Sequence, residues 1–329
     1  MPDIQTARPL PPRPLVATAR PIARQTASRP LSIGLINNMR GSGFRDSDRQ
    51  FRAMIAAASP LAAIVTGYSI ADPPSAEAGR DYRALAALDE ASPDGLIITG
   101  AEPAADALHQ EAFYPALTRV IDRAIDRRIP VVFSCLATHV AVLHLSGIAR
   151  RRLPQKCHGV LSFALRAEHA MTRGMRGRIR VPHSRWNTLD EAALTASGYR
   201  VLTASARAGV DRFVHQDAPG CVFLQGHPEY EPLSLPGEYR RDVRRYLCGE
   251  THRYPTIPSG CFDTATRAAL RAFRRQAKRD RDPAMMAALP LHAADPPDAR
   301  PWQDDAVQFY RNWLSHVAAS AGIPCAHDV

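Results

Sequence analysis

The chain has 329 residues, 45% of them apolar and 22% charged, an ordinary globular composition that excludes a wholly disordered, collagenous or coiled-coil protein. This length suits one large α/β domain or two small ones. The formal charge of +10 would admit a nucleic-acid partner, but the basic excess is scattered and part of it sits at the N-terminus, so none is expected.

Residues 1–30 hold seven prolines, five arginines and a single acid, with no periodic apolar face, and read as a disordered basic tail. The arginines and the scarcity of acids are also those of an organelle transit peptide, but the prolines oppose an amphipathic helix. No apolar run approaches the roughly 18 residues that span a bilayer, so no membrane association and a cytoplasmic location are expected. Six cysteines without a CxxC pair suggest neither a disulfide framework nor a zinc site.

From Leu31 the texture changes. Leu31–Asn38, Ala63–Val65, Gly95–Thr99 and Pro130–Ser134 have strand length and composition, and Asp46–Ala58 and Glu111–Arg127 carry apolar residues at helical spacing. This alternation predicts a parallel sheet with helices on both faces. Five further strands are predicted at Gly159–Ala164, Arg178–Val181, Arg200–Thr203, Arg212–His215 and Cys221–Gln225, joined by Gly, Asp and Pro turns that suit an antiparallel extension. Helices at about Pro236–Leu247, Asp263–Lys278 and Asp304–Ala319 complete a single domain over 31–329. Residues 279–301 read as a loop, and no internal repeat is present.

Two segments carry chemistry. Pro130–Gly147 is a buried strand followed at once by an apolar helix, with Cys135 at the junction. There the positive end of a helix would favour thiolate, whereas the plain alternative is a buried core cysteine. Cys221–Tyr230 is a strand running into Gly226, His227, Pro228 and Glu229. In extended backbone Glu229 can accept from one imidazole nitrogen while the other faces a nucleophile, or the segment is a solvated turn. The two segments together favour a Cys-His-Glu triad. All but two of the basic residues are arginines, the lysines being Lys156 and Lys278, so a lysine hints at a site that wants a compact ammonium.

A cysteine elbow followed by His-x-Glu on a flavodoxin-like sheet resembles the class I glutamine amidotransferase superfamily. Finer motifs are INNM at 36–39, DSDRQF at 46–51, GLIITGA at 95–101, Lys156 with Gly159 and Val160, PHSR at 182–185, GHPEY at 226–230 and EYRRDV at 238–243. In this order they resemble the homoserine O-acyltransferases of methionine biosynthesis, the succinyltransferase family, over about residues 30–250. A shorter match lies at Asn312–Leu314.

The resemblance implies a doubly wound, mostly parallel α/β sheet with an antiparallel extension and C-terminal helices. It also implies a covalent acyl transfer, in which Cys135 takes the acyl group from succinyl-CoA or acetyl-CoA, His227 moves protons and Glu229 holds His227. L-Homoserine would be bound through Lys156, Ser184 and Arg241. A backbone oxyanion hole would form near Leu136 and the loop after Gly100, and Ala104 would set acyl-CoA specificity. No metal or held cofactor is required, acyl-CoA being a co-substrate, and a homodimer is implied.

The rivals are acyl transfer to serine or another hydroxy amino acid, and amide hydrolysis of glutamine. FSCLAT at 133–138 lacks the glycines typical around an amidotransferase cysteine. The family's lysine-bearing stretch before DSDRQF stands here as RGSGFR at 40–45, leaving Arg40 or Arg45 to substitute. Residues 255–300 lack a counterpart in the resemblance and read as an irregular insertion, although 263–278 has helical spacing.

Overall fold

The computed structural model describes residues 29–70, 81–105, 107–291 and 301–324, so residues 1–28 of the expected tail lie outside the described residues. In chain order the elements are β1 (Leu31–Asn37), α1 (Ser42–Ala58), β2 (Ala63–Ser69), β3 (Tyr82–Ala84), α2 (Leu88–Ala91), β4 (Gly95–Ile98), α3 (Tyr114–Asp126), β5 (Val131–Ser134) and α4 (Leu136–Ser146). They continue with β6 (Arg151–Leu165), β7 (Arg178–Thr188), α5 (Glu191–Ala196), β8 (Tyr199–Ser205), β9 (Gly209–His215), β10 (Val222–Leu224), α6 (Ser234–Leu247), α7 (Thr264–Arg279) and α8 (Gln303–Ser320).

These strands form one ten-stranded sheet in the order β3-β2-β1-β4-β5-β10-β9-β8-β6-β7. From β3 to β10 every pairing is parallel, and from β10 to β7 every pairing is antiparallel. The expected mostly parallel sheet with an antiparallel extension is therefore present. Its period-two alternation splits the core. Leu31, Ile33 and Leu35 of β1, Ile97 of β4 and Val132 of β5 pack with Phe51 and Ile55 of α1 and Phe309, Trp313 and Val317 of α8. Ile36, Leu96, Ile98, Val131 and Phe133 point the other way, onto Leu117 and Ile121 of α3 and Val140 and Ala141 of α4. Helix α4 has no distinct polar face, and its first seven residues, Thr138 and His139 among them, are buried.

Three short elements, β3, α2 and α5, go unannounced in the sequence. The predicted strand Gly159–Ala164 is the C-terminal part of the much longer β6. Its register against β7 shifts between Arg152 and Cys157, so residues 153–156 bulge out around Pro154. Within 255–291 the described residues form α7 and pack onto α6. Leu270, Phe273 and Ala277 of α7 and Leu289 bury themselves against Tyr239, Val243 and Tyr246 of α6, forming a separate apolar cluster. Ser259 accepts from the Val160 amide at 2.8 Å and donates to the His158 carbonyl at 3.1 Å, which ties the start of this region to β6.

Candidate active site

Cys135 ends β5 and His227 follows β10, and these two strands are parallel neighbours, so both residues emerge at the same end of the sheet. Cys135 caps α4 with φ +51° and ψ −109°, a left-handed conformation rare for a residue with a side chain. Its amide donates to the Leu224 carbonyl at 2.8 Å. One turn on, the Thr138 hydroxyl lies 2.8 Å from the Phe133 carbonyl and 2.9 Å from that of Leu224, and accepts from the Leu224 amide at 3.0 Å. The cysteine strand, its helix and the histidine strand are thus fastened at one point.

The His227 amide donates to the Pro182 carbonyl at 2.8 Å. Its Nδ1 lies 2.8 Å from Glu229 Oε1, and the ring also hydrogen-bonds with Cys135. Burial would lower the imidazole's affinity for a proton. The charges of Cys135 and Glu229, with their hydrogen bonds, outweigh it and hold His227 well above its ordinary value. Tyr230 stacks on the ring at 4.2 Å between centroids. Behind the turn, the Gly226 amide donates at 3.1 Å to the buried carboxylate of Asp211, and a Cβ on Gly226 would come within 2.7 Å of both Asp211 and His183. Only glycine fits there.

Above Cys135, a Cβ on Gly100 would stand 3.1 Å from the Leu136 backbone nitrogen and 3.3 Å from the Cys135 Cβ. The loop after β4 is thus pressed onto the first turn of α4, where amides lack helical carbonyl partners. Cys135, Leu136, Gly100, Ala104, Lys156, Ser184, His227, Glu229 and Arg241, all singled out from the sequence, line one cavity of about 1870 Å³. Neither Arg40 nor Arg45 lines it. Arg49 does, paired with Glu231.

The sequence did not announce Glu238 and Asp242, one turn apart on α6. Lys156 Nζ donates to Asp242 Oδ2 at 2.7 Å and lies 3.6 Å from Glu238 Oε2. Glu238 also accepts from Ser184 and, at 2.5 Å, from the Tyr230 hydroxyl. Burial opposes ionisation of both acids, but Lys156 with Ser184 and Tyr230 holds Glu238, and Lys156 with Arg241 holds Asp242, below the usual carboxylate range. Arg241, 43% exposed, donates to Asp242 at 3.1 Å.

A family model described as homoserine O-succinyltransferase matches residues 3–322. A homoserine O-succinyltransferase of Methylorubrum extorquens is 43% identical over 296 residues, 89% of each chain. The chain belongs to the homoserine O-succinyltransferase family. A member from Rhodopseudomonas palustris is 40% identical, covering 90% of this chain and 91% of the relative. Solved glutamine amidotransferases share the fold. One from Thermotoga maritima has a TM-score of 0.51 at 14% identity over 88% of this chain and 98% of its own, and one from Methylobacillus flagellatus 0.51 at 16% over 88% and 95%. The family match runs through both the N-terminal stretch and the 255–300 region that the shorter motifs left uncovered.

This family member carries three histidines buried beside the cavity or behind it. Burial lowers His139 to about 3 and His158 and His183 to about 4. In the unfolded chain each titrates near 6.5, so between about pH 6.5 and 4 the unfolded state binds more protons and stability falls with pH. His227 has the opposite sign but is one group against three. Unfolding free energy measured by urea titration is expected to drop by on the order of 1–2 kcal/mol per buried histidine from pH 7 to pH 5. An unchanged or higher value at pH 5 would show that the three take up protons in the folded state.

Proposed function

We propose that this chain transfers a succinyl group from succinyl-CoA to the γ-hydroxyl of L-homoserine, a step of methionine biosynthesis, through a thioester on Cys135. The observation that carries the reading is the junction of β5 and α4 with β10: a strained cysteine hydrogen-bonded with a histidine whose other nitrogen is held by Glu229. The Cys135 sulfur attacks the thioester carbonyl, with its proton on His227. The oxyanion faces the amides of the α4 first turn beside Gly100, and collapse expels the CoA thiol, which takes the proton back. In the second half His227 removes the hydroxyl proton of the acceptor, the alkoxide attacks the acyl-enzyme, and the Cys135 sulfur leaves.

An amino-acid acceptor needs one anionic and one cationic contact. Glu238, aligned by Ser184 and Tyr230, suits the ammonium. Arg241 and Lys156 suit the carboxylate, a guanidinium being able to bind it through two hydrogen bonds. Intact-protein mass spectrometry after brief exposure to succinyl-CoA, acetyl-CoA or glutamine, each without acceptor, tests the proposal. A succinyl adduct lost on adding homoserine is expected. Labelling by glutamine alone would move the chain to the amide hydrolases.

The donor preference rests on Ala104 in the cavity lining. In that position a glutamate would fill volume and set a carboxylate against the succinyl carboxylate, whereas alanine does neither. Ala104→Glu is expected to shift the ratio of kcat/KM for succinyl-CoA over acetyl-CoA toward acetyl by about tenfold or more, the equivalent of ~1.4 kcal/mol. A parent that prefers acetyl-CoA, or an unmoved ratio, would sink the argument.

A further inference from the structure

Of the ten arginines and lysines that line the cavity, eight fall into two groups, with Arg150 and the buried Arg185, which donates to the Asn187 and Ala208 carbonyls, standing apart. Four are matched by carboxylates: Lys156 and Arg241 by Asp242, Arg245 by Glu102 at 2.6 Å, and Arg49 by Glu231. Four others, Arg152, Arg253, Arg274 and Lys278, line the same cavity and pair with no carboxylate among the described residues. The two lysines of this arginine-rich chain both face this cavity, one in each group.

The unmatched group comes from two sides. Arg152, opposite Asn187 in the β6–β7 ladder, lies 5.2 Å from the ring centroid of Trp186, whose indole keeps 41% of its surface exposed. Arg253 follows α6, and Arg274 and Lys278 lie on α7, with Arg274 5.8 Å from the Tyr254 ring. Ser259, bonded to His158 and Val160, joins the two sides. Clustered cations without internal counter-charge favour an external polyanion, and an open indole beside them favours a flat aromatic group.

We infer that this arm binds the nucleotide end of the acyl carrier, its phosphates on Arg253, Arg274 and Lys278 and its base on Trp186. The inference rests on the proposal that the donor is an acyl-CoA. It divides the cavity into a charge-matched region, where a small zwitterion is recognised, and a cationic arm that accepts the phosphorylated end and leaves the thioester free to reach Cys135.

Adenosine 3′,5′-bisphosphate, the nucleotide end without the outer 5′-phosphate and the thiol arm, is the probe, and tryptophan emission the readout. Trp302 and Trp313 are buried, so Trp186 dominates the response. Saturable quenching is expected in the parent and in Cys135→Ala, with affinity at least tenfold weaker in the triple variant Arg253→Ala, Arg274→Ala, Lys278→Ala. The triple variant should also raise KM for succinyl-CoA at least tenfold, yet acylate Cys135 from S-succinyl-N-acetylcysteamine, which has no nucleotide, at the parent rate. No saturable binding, triple-variant affinity within twofold of the parent, or equal competition by inorganic pyrophosphate would overturn the inference. Failure of the short thioester to label the parent would instead overturn the acyl-enzyme reading, which the nucleotide titration does not depend on.

Discussion

Replacing Cys135 with alanine is expected to abolish acyl-enzyme formation and to lower turnover by on the order of 10⁵-fold or more, the scale on which removal of a covalent nucleophile acts. Among the described residues no other cysteine lines the cavity. Burial pushes the thiols of Cys221 and Cys261 up to about 12, and neither lines the cavity. The same position stores strain. At φ +51° and ψ −109° a side chain is held where glycine alone is at ease, at a cost of order 1–3 kcal/mol. Cys135→Gly should therefore be as inactive as the alanine variant but more stable than the parent by about 1 kcal/mol, part of the relief being lost to glycine's unfolded-state entropy. Intact-mass spectrometry and urea unfolding check the two halves. An alanine variant that still accumulates an adduct would remove Cys135 from the mechanism, and a glycine variant less stable than the parent would remove the strain.

Strands β1, β4 and β5 were legible because they are buried on both faces, and α1 and α3 because they are long enough to show their period. Leu31–Asn37 and Tyr114–Asp126 carry patterns that survive any register error of one or two residues. Strand β3 has three residues and α2 four, too few for either period to appear. Cys135 and His227 were legible because each stands where a strand stops, and the pairing of β5 with β10 then brings them together.

Glu238 and Asp242 were not legible for a different reason. In EYRRDV they read as two charges on a basic helix, and only the packing of α6 reveals that the face they share is turned to Lys156. Their spacing of four residues, beside the apolar Tyr239 and Val243, was the available signal. Lys156 itself was singled out by its rarity. Its place in the cavity comes from the bulge between Arg152 and Cys157, which Pro154 alone foreshadowed.

Glu229→Gln is expected to lower kcat by on the order of 10³-fold or more with the fold retained. The carboxylate does two things here. Oε1, 2.8 Å from Nδ1, fixes the tautomer that leaves Nε2 free to accept a proton, and its charge helps hold His227 protonated against the pull of burial. Glutamine is isosteric, but its amide can donate to Nδ1 and select the opposite tautomer, and it brings no charge. Burial then acts unopposed by Glu229, so the His227 titration midpoint should fall in the variant while its circular dichroism stays that of the parent. Glu229 Oε2 is buried with no hydrogen-bond partner among the described residues, so replacing the carboxylate by an amide breaks no bond at that oxygen. Loss of activity therefore cannot be charged to a collapsed site. Measured together, kcat and an NMR titration of the imidazole separate orientation from structure. Near-parent turnover, or a midpoint that does not move, would return Glu229 to the role of a buried turn residue.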